Sequence, residues 1–119
     1  MPSPIVMFQI NTADAEASRR FYGALFDWDF DESDFVIAPT FIDPKGPADF
    51  DPRGAFMPLA SGDKPFISVF IRVADLCETV GKAEELGATV VTPVSELANG
   101  AHYAEITSPE GHRIGIVQQ

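Results

Sequence analysis

Residues 5–30 read IVMFQINTADAEASRRFYGALFDWDF, and residues 66–91 read FISVFIRVADLCETVGKAEELGATVV. Both run strand, Ala-Asp, helix, strand, at an offset of 61 residues. Ile10, Ala13, Asp14 and Leu25 match Ile71, Ala74, Asp75 and Leu86. Each stretch later reaches a similar turn, IDPKG at 42–46 and TSPEG at 107–111. The repeated order of elements, more than the identities, indicates two related units. Paired units are expected to enclose a cleft between them, the kind of place where ligands bind.

The periodicity supports this reading outward from both stretches. Ile5 to Asn11 alternates as a strand does, with Phe8 and Ile10 on one face and Met7, Gln9 and Asn11 on the other. Thr12 or Asp14 can cap the next helix, whose apolar stripe is Ala17, Phe21, Ala24 and Leu25. Trp28 and Phe30 alternate with aspartates as a short half-exposed strand, and Phe35 to Ile42 reads as another. DPKGPADFDPRG at 43–54 reads as a turn-rich connection, and Ala55 to Leu59 as a fourth strand.

In the second stretch, Val69, Ile71 and Val73 share one face, while Ser68, Phe70 and Arg72 share the other. Asp75 with Glu78 predicts a capping box, Leu76, Val80, Ala83 and Leu86 form a helical stripe, and Gly87 stops it. Strands follow at Ala88 to Thr92, Ala101 to Thr107 and His112 to Val117. The sum is an α+β fold of two βαβββ modules, residues 1–59 and 65–119, joined by a linker at 60–64 within one domain over 1–119.

Composition narrows the partners. A net charge of −10, with only eight Lys and Arg, excludes the clustered cations that nucleic acid or an anionic membrane surface requires. The single cysteine, Cys77, gives no intrachain disulfide and fits a reducing compartment. The N-terminus has no basic segment leading into an apolar one, and no apolar run reaches about 18 residues. A cytoplasmic protein is expected. Acids concentrate between Asp27 and Asp51, where Lys45 is the only Lys or Arg. This segment is a solvated face, a cation site or a contact surface for a partner. Asp27, Asp29 and Asp31 open like a calcium loop, but Glu32 stands where that loop needs Gly and Ala38 where it needs Glu.

The chain resembles the vicinal oxygen chelate superfamily, which includes glyoxalases, bleomycin-resistance proteins and ring-cleaving dioxygenases. The residues that carry the resemblance are NTAD at 11–14, FYGALFDWDF at 21–30, VADL at 73–76 and SPEGHRIGI at 108–116. It covers nearly the whole chain, and its nearest flavour is the glyoxalase-related group. The resemblance implies that the two modules curve into a cup-like mixed sheet with the helices outside. It also implies a ligand within the cup, in many members a divalent metal, and frequent homodimers. Carried over by position, the metal ligands fall at Met7, Ser68 and Gly115, where such members carry His, His and Glu. A thioether, a hydroxyl and a bare backbone are poor donors for a divalent metal. No cofactor is therefore expected, and a divalent metal only at a non-standard site.

Other residues are candidates for the cup. Gln9 and Asn11 share the Met7 face and suit ligand hydrogen bonding, or are satisfied by neighbouring polar groups. Arg72 suits a ligand carboxylate or phosphate, or a surface ion pair. Tyr103 and Glu105 share a face, and Glu105 is the best carboxylate for a general base. Arg113 can look into the cup or pair with Glu105 across the hairpin. Trp28, Phe56 and Phe70 are core residues or an aromatic lining. Ser68 completes the candidate ligand-binding set. His102 lies opposite Tyr103 and Glu105 by parity, so the two histidines do not converge with Glu105. The expected function is small-molecule binding without the usual metal. The alternative is a glyoxalase-related lyase, isomerase or dioxygenase-like enzyme that uses a relocated metal or Glu105 as base.

Overall fold

Alternating residues and two aspartate caps build the same arrangement twice. The computed structural model describes residues 2–32, 40–46, 53–97 and 100–118. Within them the order is β1 (Ile5–Thr12), α1 (Ala15–Phe26), β2 (Asp29–Glu32), β3 (Thr40–Asp43) and β4 (Arg53–Pro58). The second half repeats it as β5 (Phe66–Arg72), α2 (Leu76–Glu85), β6 (Thr89–Glu96), β7 (His102–Thr107) and β8 (Arg113–Gln118). The α+β class and the βαβββ pattern are those that the sequence predicts. The strand expected over 35–42 is described only from Thr40, and much of the connection at 43–54 lies outside the described residues.

The chain divides into two units, one of Met7–Ile67 and one that joins the chain up to Val6 with Ser68–Gln119. The first residues therefore belong with the second module, where Arg72 N–H donates to the Pro4 carbonyl at 3.0 Å. In the Met7–Ile67 unit the strands lie in the order β2-β3-β4-β1. β1 and β4 are parallel, while β3 is antiparallel to β4 and to β2. In the other unit the order is β5-β8-β7-β6, with β5 and β8 parallel and β7 antiparallel to both its neighbours. The two topologies are the same.

Caps decide where the helices start. Asp14 is extended and its carboxylate accepts the Ala17 N–H at 3.0 Å. Thr12 instead accepts from the Asp14 N–H and contacts the Ser18 hydroxyl. Asp75 accepts the Glu78 N–H at 3.0 Å. Each bond satisfies a donor that the first helical turn leaves free. α1 ends at Asp27 in the left-handed region (φ 59°), a conformation that Asp tolerates better than most residues. Past α2, Gly87 at φ 99° takes the same role.

Each unit packs its helix on one sheet face. α2 contributes buried Leu76 and Val80, which meet Ala104, Ile106 and Ile116. Ile10, Ile42 and Phe56 form the other core, with Phe8, Tyr22, Trp28 and Phe30 against it. Full burial of a side chain such as Phe56 or Leu76 contributes about 1.5–3 kcal/mol. Two stripes differ from expectation. Leu86 is exposed, because α2 ends before it. No residue of α1 is buried, and Phe21 and Leu25 face solvent. Tyr22, one residue off the expected stripe, stacks on Trp28 with centroids 5.5 Å apart.

Candidate functional site

The sheet faces opposite the helices carry most of the candidate residues. In the Met7–Ile67 unit, parity puts Met7, Gln9 and Asn11 on that face of β1. Register aligns Gln9 with Ala55 and Asn11 with Met57 on β4, and Ala55 with Phe41 on β3. Gln9 is wholly buried, and neither its Nε2 nor its Oε1 has a partner among the described residues. Asn11 is 4% exposed; its Nδ2 donates to the Pro58 carbonyl at a long 3.4 Å, and its Oδ1 has no partner among the described residues. Trp28 and Phe56 lie elsewhere, in the cluster with Ile10 and Ile42 on the helix side.

The same face of the other unit holds Ser68, Phe70 and Arg72 on β5, Arg113, Gly115 and Val117 on β8, and Tyr103 and Glu105 on β7. Register sets Phe70 and Glu105 both level with Gly115, and Tyr103 and Arg72 both level with Val117. The parity read from sequence thus holds for all of these residues. Glu105 is buried, and its Oε2 accepts from Arg113 Nε at 3.1 Å. The pair runs diagonally, since Arg113 stands directly opposite Thr107. Burial, reinforced by the charge of Glu105, pushes the Tyr103 phenol above its ordinary range. Arg72 is exposed at the end of β5.

The residues at the implied metal positions have other occupations. The Ser68 hydroxyl donates to the Arg113 carbonyl. The Phe70 ring lies across Gly115, where an added Cβ would stand 2.5 Å from Cδ1 and Cε1 of that ring. A carboxylate at residue 115 would need that same space. Met7 offers only a thioether. These residues do not fit a divalent cation, and among the described residues no three His, Cys, Asp or Glu side chains gather to hold one. His102 lies 3.9 Å from Glu96, and His112 bonds Ser108 within its own turn.

In the described part of the acidic segment, Lys and Arg side chains lie against the carboxylates. Lys45 Nζ lies 3.4 Å from Asp27 and 3.6 Å from Asp29, Arg53 pairs with Asp43, and Arg19 pairs with Glu32. Lys45 was not foreseen as a counter-ion, because IDPKG folds back on β2 only through the β2–β3 register. Phe41, Ala55 and Met57 were missed as neighbours of Gln9 and Asn11. Their place depends on the parallel β1–β4 register, which no local pattern states. A cleft of about 440 Å³ opens beside the start of α2, between Ser3 and Val73, Asp75, Glu78 and Lys82. It is lined by none of the sheet-face residues above, and the carboxylate of Asp75 is already engaged as the cap.

Residues 6–117 match a family model described as a glyoxalase-like domain. The chain belongs to the glyoxalase-like family. It is 25% identical over 114 residues to "Putative glyoxylase CFP32" of Mycobacterium bovis and of Mycobacterium tuberculosis, a match covering 92% of this chain. That match covers 43% of each relative, so the chain spans less than half the length of the curated relatives it matches. Among solved structures it is similar to a variant of Streptomyces coelicolor methylmalonyl-CoA epimerase in complex with 2-nitronate-propionyl-CoA. That likeness has a TM-score of 0.65 at 12% identity over 100% of this chain and 99% of that one. The methylmalonyl-CoA epimerase of Mycobacterium tuberculosis gives a TM-score of 0.60 at 15% identity, over 96% and 86% of the two chains. At these identities the structural likeness establishes the fold.

Proposed function

We propose that this glyoxalase-like protein binds a small organic molecule and does so without the divalent metal that the superfamily resemblance implies. The observation that carries this reading is the Phe70 ring lying over Gly115, in the space that a metal-binding glutamate would need. The buried polar residues on the helix-free faces support it. Gln9, Asn11, Ser68 and the Glu105–Arg113 pair lie among apolar neighbours, the mixture that small-molecule sites use. On the face of the Ser68–Gln119 unit, Phe70, Tyr103 and Arg72 complete its proposed binding residues, with Arg72 available to an acidic group on a ligand. A thermal-shift screen of apolar, aromatic and acidic compounds tests the reading. Stabilisation by at least one class supports it, and a flat response across the screen removes it.

A second reading makes the protein a lyase or isomerase with Glu105 as general base, or with a metal at another site. The names glyoxylase and epimerase among the relatives favour it. Against it, one oxygen of Glu105 is occupied by Arg113. Elemental analysis after growth with nickel, zinc, iron and manganese tests the metal form, which a metal-free protein contradicts. No described helix is long and apolar enough to cross a membrane. We place the protein in the cytoplasm as a homodimer, a state supported by the exposed Phe21, Leu25 and Phe26 of α1 and read by light scattering.

A further inference from the structure

The duplicated topology allows one residue to be judged against its counterpart. Gln9 aligns with Ala55 across β1–β4, and Phe70 aligns with Gly115 across the equivalent pair β5–β8. The two occupy the same place in their units. In one the place is taken by an aromatic ring packed onto a glycine; in the other it is taken by a primary amide whose two polar atoms have no partner among the described residues. The fold therefore accepts an apolar residue here, and the glutamine is not required to build the strand pair. A buried amide with neither its donor nor its acceptor satisfied is destabilising, and such groups are few in native proteins. Two residues along the same face, Asn11 leaves a second acceptor unpartnered. The neighbours by register, Ala55, Met57 and Phe41, offer Gln9 no side-chain hydrogen bond.

We infer that Gln9 is a ligand-recognition residue, and that it selects a neutral group on the ligand that presents a hydrogen-bond donor and acceptor side by side, as a carboxamide or lactam does. This rests on the small-molecule reading above and specifies its ligand class. An amide edge is self-complementary: Nε2 donates to the ligand carbonyl while Oε1 accepts from the ligand N–H. A carboxylate ligand fits less well, because Oε1 would face a second acceptor. Since Gln9 is wholly buried, the ligand reaches it only by local opening of this face.

The test replaces Gln9 by methionine, which has similar volume and no amide. Melting of ligand-free protein and titration with benzamide and δ-valerolactam, against toluene and cyclohexane, are compared for wild type and Gln9→Met. The inference expects the ligand-free variant to melt at or above the wild-type temperature, and its affinity for the two amides to fall by about ten-fold or more. The hydrocarbons should bind both proteins equally or neither. A variant that melts lower, or does not fold, overturns the inference by showing that the amide is satisfied in the free protein, as by an ordered water. Equal amide affinity in the two proteins also overturns it, while leaving small-molecule binding intact. Failure of every compound on wild type removes the inference, and the broader acidic and aromatic screen then decides the small-molecule reading separately.

Discussion

Gly115 and Tyr103 show how single residues shape this sheet face. Gly115 is constrained by space, since its backbone supports the Phe70 ring at contact distance. Gly115→Ala should therefore cost about 1–3 kcal/mol in urea unfolding, the usual penalty for overpacking. Adding Phe70→Leu should recover a large part of it, and additive losses in the double variant would show that the two residues do not share that space. Tyr103 makes a pH prediction. Its phenol is held above the ordinary value by burial and by Glu105, so the folded state keeps the proton longer than the unfolded chain. The stabilisation is complete below about pH 10. It is lost as pH rises from there through the raised folded value. Thermal melts at alkaline pH should show this fall, and Tyr103→Phe should flatten it. An unchanged profile in the variant would assign the fall to other groups.

At the scale of elements, the caps and parities were legible because they are local. Asp14 and Asp75 announce their helices by residue type, and alternation grouped Ser68 with Phe70 and Arg72, Tyr103 with Glu105, and Arg113 with Gly115, sets that the β5–β8 and β7–β8 registers bring onto one face. The α1 stripe differs from expectation because Phe21 and Leu25 have helical spacing but lie exposed. Hydrophobic periodicity finds an amphipathic helix without saying which neighbours cover it. The length of β6 was also underestimated, since Pro93 is accommodated where the β6–β7 register shifts between Thr92 and Ser95. The two helices should answer differently to mutation. Asp75→Ala removes the cap of a helix with two buried anchors and should cost about 1 kcal/mol in denaturant melts. Leu86→Ser, on the exposed end of the same stripe, should fall within about 0.5 kcal/mol of wild type. A large loss at Leu86 would mean that another surface covers it.

For the whole molecule, duplication supplies the frame, and the two copies differ in the side chains they place on it. Equivalent strands carry Met7 and Ser68, Gln9 and Phe70, Asn11 and Arg72, so the two faces share a scaffold and differ in chemistry. The family was legible in the sequence because short motifs at the caps and turns carry it. The neighbours of the candidate site residues were not, because they depend on parallel registers between strands far apart in the chain. The acidic segment is partly neutralised from within: Asp27, Asp29, Glu32 and Asp43 each have a protein cation within reach. Pairs this exposed contribute at most about 1 kcal/mol each, so they shape the surface more than they stabilise the fold.

The central claim, ligand binding independent of metal, is tested most directly by measuring ligand-induced thermal stabilisation in chelator and again after adding nickel or zinc. A ligand at about one hundred times its Kd stabilises a folded protein by about 2.7 kcal/mol, which a melt detects readily. The account predicts the same upward shift with chelator present as with metal added. A shift that vanishes in chelator and returns with the metal would contradict it.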